Sequence, residues 1–338
     1  MVFGCAISSL TLVAAQGANP LARIRAAQKP LKAAAPRPLL HRLPFRPPGR
    51  AAYARAMDAV LLALASAFLF GAMTVALRFA LRRAPDAEVG ALLTILPALA
   101  VTLPFVAAQS LDLAAVWPFV LAGLLGPGLS QLLFTLAVRD AGPSRTSVAV
   151  GTAPLFSVVI ALVFLDEPLH AALLLGAILI VVGGVLLVGE RGRPQHVKRI
   201  GLAFALLATI VFAVRDNLVR WLSLDTDAAP ALAAAATLGA GAAVVAVWVL
   251  GSRRGRVTLR ALPAFAPAGV LFGLSYICLF EGYYRGRVTV VSPLIATESL
   301  WGVGLSALLL RRHELVGPRL LGGAALVVAG GALIGIFR

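Results

Sequence analysis

The sequence predicts an all-α integral membrane protein, with ten transmembrane helices arranged as two inverted five-helix repeats. Three observations predict it. The 338 residues are 60% hydrophobic and only 13% charged, with a mean hydropathy of +0.94. Soluble domains run near ~45–50% apolar and ~25% charged. From Asp58 onward the apolar residues fall into ten runs. Each has about 20 residues, enough at 1.5 Å per residue to cross a hydrocarbon core of about 30 Å. The second five runs repeat the first five.

Residues 1–56 stand apart from these runs. They hold no Asp or Glu, nine Lys/Arg, and seven prolines between Pro20 and Pro48. Three readings stay open: a true start at Met57, a disordered basic tail, or an Arg-rich organelle presequence that is poor in Ser for that role. The apolar patch from Val2 to Ala15 lacks the basic residues that precede a secretory signal core.

The ten runs cover 58–81, 88–108, 115–138, 146–165, 170–189, 200–222, 228–250, 263–284, 288–310 and 317–337. Backbone in lipid must satisfy its own hydrogen bonds, so such runs are expected as helices. Glycines at 123, 126, 128, 239, 241, 302 and 304 are expected to let helices pack closely. Residues 58–189 form the first repeat and 200–337 the second. At an offset of 145, Gly128-Leu129-Ser130 falls on Gly273-Leu274-Ser275, Ser147 on Ser292 and Thr152 on Thr297. At 147, Glu167 falls on Glu314, Gly176 on Gly323, and Gly183-Gly184 on Gly330-Gly331. At 142, Phe70 falls on Phe212 and Arg78 on Arg220. Five is odd, so the two copies must enter the membrane from opposite sides. That is the inverted repeat of many secondary transporters, whose site lies at mid-membrane between the halves.

The net charge of +16 does not form a nucleic-acid-binding face. Beyond residue 56 the basic residues sit mostly in short connections. Odd-numbered connections carry sixteen Lys/Arg, among them Arg78, Arg83, Arg139, Lys198 and Arg260; the other side carries four: Arg220, Arg285, Arg287 and Arg338. Positive-inside bias then places both ends of the ten-helix unit outside the cytoplasm. The inner or plasma membrane is expected ahead of an organelle membrane. Cys5 and Cys278 form no disulfide or metal framework. No phosphate-binding loop or His/Cys metal spacing occurs, so no cofactor is expected. Asp112, Asp140, Asp225 and Asp227 are carboxylates in connections, without an evident partner.

Ionisable groups inside a membrane cost roughly 2.5–3.5 kcal/mol each on insertion scales, and are functional candidates by default. Glu298 lies between Arg287 and Arg311, near the midplane. It reads as a substrate or proton site, because desolvation works against the charged form of a carboxylate; the alternative is a buried ion pair with Arg215 that only fixes packing. Arg215, Asp216 and Asn217 are candidates on helix six. Adjacent helical residues point about 100° apart, so one of Arg215 and Asp216 is expected to face the cavity while the other pairs or reaches the interface. Glu281, followed by Tyr283 and Tyr284, is either a site residue or part of an interfacial belt. Gln131 and Tyr276 are repeat-related hydrogen-bonding candidates. Trp301 either stacks on substrate or faces lipid. Pro154 and Pro293 are expected to interrupt helices four and nine, freeing backbone to line a cavity. The first-repeat counterparts of the charged candidates are neutral: Ala153, Met73, Thr74 and Leu136.

Ten runs in two fives, an apolar run closed by Asp166-Glu167-Pro168 and again by His313-Glu314, and a following Gly…Gly-Gly helix resemble the EamA-type branch of the drug/metabolite transporter superfamily. The opening Phe70-Gly71-Ala72-Met73-Thr74-Val75-Ala76 is similar to that family's first helix. The resemblance covers about residues 58–337. It implies a permease that moves small metabolites by alternating access and is not an enzyme. Two features depart from the family pattern. Positions four and nine carry Ala153-Pro154 and Glu298-Ser299 where many members have a pair such as Glu-Pro, and the second connection, Gln109 to Ala114, has no basic residue. The expected function is secondary-active transport of a small molecule, driven by protons or by a substrate gradient. The partners are the substrate and the lipid bilayer, not nucleic acid. The alternative is a membrane-embedded enzyme or lipid-handling protein, which would need paired carboxylates or histidines at one membrane face.

Overall fold

The computed structural model describes residues 50–156, 171–188, 198–224, 226–252, 259–286, 291, 294–310 and 317–337. Those residues form helices and connections, with no strand among them. In order they are α1 (Arg50–Arg83), α2 (Ala87–Ala107), α3 (Trp117–Gly123), α4 (Ser130–Ala141), α5 (Pro143–Val150), α6 (Ala171–Val188), α7 (Arg199–Leu222), α8 (Pro230–Gly251), α9 (Leu262–Arg285), α10 (Glu298–Leu309) and α11 (Pro318–Phe337). Six stretches are long and apolar enough to cross a membrane: Met57–Arg83, Ala87–Ala107, Trp117–Ala141, Arg199–Leu222, Pro230–Gly251 and Leu259–Arg285. Leu174–Gly183, Glu298–Leu309 and Pro318–Leu333 are shorter apolar helices. Large apolar side chains such as Leu61, Leu103, Ile178, Val247 and Leu250 lie exposed, as a bilayer-facing surface requires.

Three local outcomes differ from the sequence expectation. First, α1 begins at Arg50, ahead of the first apolar run. Second, the third segment is broken: a π-helical turn, Leu124–Leu129, joins α3 to α4, and Gly126 leaves helical geometry (φ −138°, ψ 118°). The cause is local, because Pro127 has no N–H to give to the ladder and flanking glycines carry no side chain to resist the change. Third, the fourth segment, expected to be interrupted at Pro154, breaks ahead of it, and the ninth is interrupted as well. Their described parts break at Gly151-Thr152 and at Ala296-Thr297, positions related by the 145-residue offset. Each break is stitched the same way: Thr152 Oγ1 donates to Ala149 O and Thr297 Oγ1 to Leu294 O, both at 2.6 Å. Pro154 therefore sits in the first turn of a restarted helix, where a missing N–H costs nothing. Pro293, Ser292, Asp166-Glu167, His313-Glu314 and Asp225 lie outside the described residues.

The helices pair in a pattern that survives exchanging the halves. Helix α1 packs on α9 as α4 packs on α7; α2 packs on α9 as α3 packs on α8; α1 meets α10 as α7 meets α5. The pairs α2–α8, α5–α10 and α6–α11 map onto themselves. Close approach is reciprocal too. A Cβ on Gly330 would lie 2.5 Å from Gly176 O, and one on Gly183 would lie 2.7 Å from Gly323 O. Only glycine permits that spacing, the means by which helices associate in lipid.

Two arginines repeat the relation at helix ends. Arg78 Nη1 donates to Arg139 O at 2.8 Å and to Val138 O at 3.3 Å. Arg220 Nη1 donates to Tyr283 O at 2.6 Å, the repeat counterpart of Val138. Each cation serves the carbonyl end of a neighbouring helix, where the backbone dipole is negative. At the Arg78 end, Asp140 accepts from Arg139 (2.8 Å) and from Lys198 (3.3 Å), tying α4 to the start of α7. Arg83, which ends α1, and Asp86, just after it, share a surface recess with Arg260, just before α9. At the Arg220 end, Arg285 Nη1 pairs with Glu281 at 2.6 Å, Gln109 Nε2 donates to Glu281 at 3.2 Å, and Ala231 N donates to Gln109 Oε1 at 3.1 Å. Asp112, on this side, accepts from Ala114 N and Ala115 N.

Candidate functional site

A cavity lies where the two halves meet. The first half supplies Ser66 and Phe70 from α1, Val150 from α5, and Ala153 and Pro154 beyond the break. The second supplies Phe212, Arg215 and Asp216 from α7, Ser275, Tyr276 and Leu279 from α9, and Ile295, Ala296 and Glu298 around the ninth-segment break. The cavity has a volume of about 40 Å³ and is open in part to the outside.

Arg215 is the most heavily bonded group in the wall. Its Nε and Nη2 donate to Asp216 Oδ1 at 2.9 and 2.6 Å, and its Nη1 donates to the Tyr276 hydroxyl at 2.8 Å. The guanidinium carbon stands 4.8 Å from the centre of the Phe212 ring and 5.3 Å from that of Tyr276. Its stem passes Gly126, where a Cβ would come within 2.8 Å of Arg215 Cδ. The irregular turn in the third segment thus makes the room in which this side chain lies. Arg215 and Asp216 both line the cavity, and they pair with each other. The long Arg side chain folds back along the helix and closes the angle between adjacent Cβ directions.

Glu298 occupies the first turn of α10 and is 5% exposed. Its carboxylate enters no ion pair or side-chain hydrogen bond among the described residues. The geometry does not contain the Glu298–Arg215 ion pair considered from sequence.

The other sequence candidates are placed elsewhere. Asn217 Nδ2 donates to Ala213 O at 2.8 Å, and the residue does not line the cavity. Glu281 belongs to the clasp with Arg285 and Gln109. Trp301 is 43% exposed and meets Phe68 edge-to-face at 5.2 Å, an outward position. Gln131 is fully buried away from the cavity, with neither amide atom partnered among the described residues. Its repeat mate Tyr276 has Arg215 to bond, whereas the counterpart of Arg215 in the first half is Met73.

Sequence reasoning missed much of the wall. Phe70 and Phe212 stand edge-to-face at 5.9 Å. The signal for this pair was present, since the 142-residue offset matches one to the other. Ser66 Oγ donates to Ser275 O and Ser275 Oγ to Ser66 O, each at 3.0 Å, joining α1 to α9 beside the cavity. Val150, Leu279 and Ile295 carry no sequence signal distinguishing them from ordinary packing residues.

A family model described as the EamA-like transporter family matches residues 57–189 and again 199–336. No curated protein matches. Among solved structures, one described only as "Crystal structure of protein" is similar at a TM-score of 0.62 and 20% identity, over 82% of this chain and 96% of the other; that likeness concerns the fold alone. With two matches that together span most of its length, the chain belongs to the EamA-like transporter family, and is a multi-pass membrane protein built of two repeats.

Proposed function

We propose that the chain is a secondary-active transporter that carries a small metabolite by alternating access, and that the cavity between the repeats is its binding site. The carrying observation is Glu298: a carboxylate turned into a cavity walled by both halves, buried, with no partner among the described residues. Such a group is costly in a membrane unless substrate or proton engages it. In this reading the chain crosses the membrane ten times as an inverted repeat, and the cavity lies near the midplane. The paired breaks at Gly151-Thr152 and Ala296-Thr297 support it, because discontinuous helices at a repeat interface are how such proteins build a site. Rocking one half against the other would open the cavity to each side in turn.

The test is uptake into proteoliposomes from a mixed metabolite pool, with and without an imposed pH gradient. The wild-type chain is expected to accumulate at least one solute, and Glu298→Gln to lose that uptake or its response to the gradient. Uptake by Glu298→Gln equal to wild type, with the same response, would sink the assignment.

A further inference from the structure

We infer that the cavity takes a small organic cation, an amine-bearing molecule whose ammonium sits against the Glu298 carboxylate while its apolar body packs on Phe70, Leu279 and Ile295. The inference rests on the reading of the cavity as the substrate site and names the chemistry that site selects.

Charge balance carries it. The cavity holds one cation and two carboxylates, and the cation already pairs with Asp216: of its five donors Arg215 spends two on Asp216 and a third on Tyr276. An anionic ligand would enter beside two carboxylates and compete with Asp216 for the guanidinium. With a neutral ligand, only a proton could neutralise the buried Glu298 carboxylate. Burying a charge is tolerated when it is paired and hydrogen-bonded, and within this wall Glu298 has no such partner. An ammonium group supplies both the charge and the donors. Phe70, Val150, Leu279 and Ile295 also line the cavity, and their apolar surfaces suit a hydrocarbon or aromatic body.

Three ligands of matched size separate the possibilities: benzylammonium, benzoate and benzyl alcohol. Their binding to the full chain in lipid nanodiscs is measured by calorimetry and by the shift of the melting temperature. Benzylammonium is expected to bind, and the other two at least about tenfold more weakly. Glu298→Gln is expected to lose at least about tenfold in benzylammonium affinity while melting like wild type without ligand, and Glu298→Asp to retain most of it. Leu279→Trp, which adds bulk at an apolar lining position, is expected to weaken binding as well. Should Glu298→Gln fail to fold, the ligand series on wild type and Leu279→Trp still decides. Equal binding of benzoate or benzyl alcohol, undiminished binding by Glu298→Gln, or no benzylammonium binding to wild type would each overturn the inference. A chain that transports other solutes yet binds no ammonium overturns this inference alone; one that binds benzylammonium through Glu298 yet moves no solute overturns the transport reading alone.

Discussion

Arg215 and Asp216 form a short ion pair inside the protein, and such a pair is unforgiving of half-removal. Taking away one partner leaves the other charge uncompensated, at a cost of about 3–5 kcal/mol, whereas removing both can be close to neutral. Arg215→Ala is therefore expected to lower the melting temperature sharply, and Arg215→Ala with Asp216→Ala to recover much of the loss. A double variant no more stable than Arg215→Ala would show that the pair does not act as a unit. The Ser66–Ser275 exchange is a smaller effect. Interhelical hydrogen bonds in membranes couple by about 0.6 kcal/mol, and a double-alanine cycle on these serines should return a coupling of that order. At this scale the sequence was informative only where a residue is chemically expensive. Glu298, Arg215 and Asp216 stood out because ionisable groups in lipid are rare. Phe70, Leu279 and Ile295 did not, because an apolar side chain facing a cavity is indistinguishable in sequence from one facing a helix or a lipid tail.

At the level of the helices, the glycines divide into two kinds that composition cannot separate. Gly330 lies against the backbone of α6, while Gly304, on α10, has nothing within 4 Å of where a Cβ would stand. Gly330→Ala is expected to destabilise by about 1–3 kcal/mol, as overpacking does. Gly304→Ala should stabilise by about 0.5–1 kcal/mol through helix propensity alone. Thermal melting of both variants in one detergent checks the opposite signs. The helix breaks teach a related lesson. The sequence pointed to Pro154 and Pro293 as the interruptions. The fourth-segment break precedes Pro154, at a threonine whose hydroxyl takes over a backbone carbonyl, and the ninth-segment break falls at its repeat mate. That threonine recurs in both copies at the 145-residue offset, so the position was marked in the sequence by repetition rather than by the usual helix-breaking residue. The turn at Gly126-Pro127 has no such mate, since Leu271 and Phe272 stand at the matching positions of the second copy. It was hidden among glycines read as packing residues.

For the whole molecule, connections sort by parity. Those after the first and third segments meet through Arg78 and Arg139; those after the third and fifth meet through Asp140 and Lys198. Gln109, Ala231 and Glu281, beside the second, sixth and eighth connections, are joined at the Arg220 end. In a cysteine-free background, Arg83→Cys and Arg260→Cys are expected to react with an impermeant thiol reagent from one side of the membrane, and Asp112→Cys from the other. Labelling of all three from the same side would refute the alternation on which the ten-crossing reading depends. The large-scale plan was legible because it is written twice, and any residue kept in both copies reports on both. The cavity was less legible because it lies between the copies, where each contributes different residues.

The reciprocal contact of α6 with α11 has a further consequence. Gly176 meets Gly330 while Gly323 meets Gly183, so a residue and its repeat mate exchange roles across the contact. Subunits related by a two-fold axis meet in this way, through an isologous interface. In symmetry terms the chain is a dimer of itself with one covalent link, the connection between Val188 and Lys198. That link sets stoichiometry, while the interface sets recognition. Two polypeptides divided at that connection and produced in the same cell should therefore find each other and co-purify, and replacing Gly330 with leucine in one of them should prevent it.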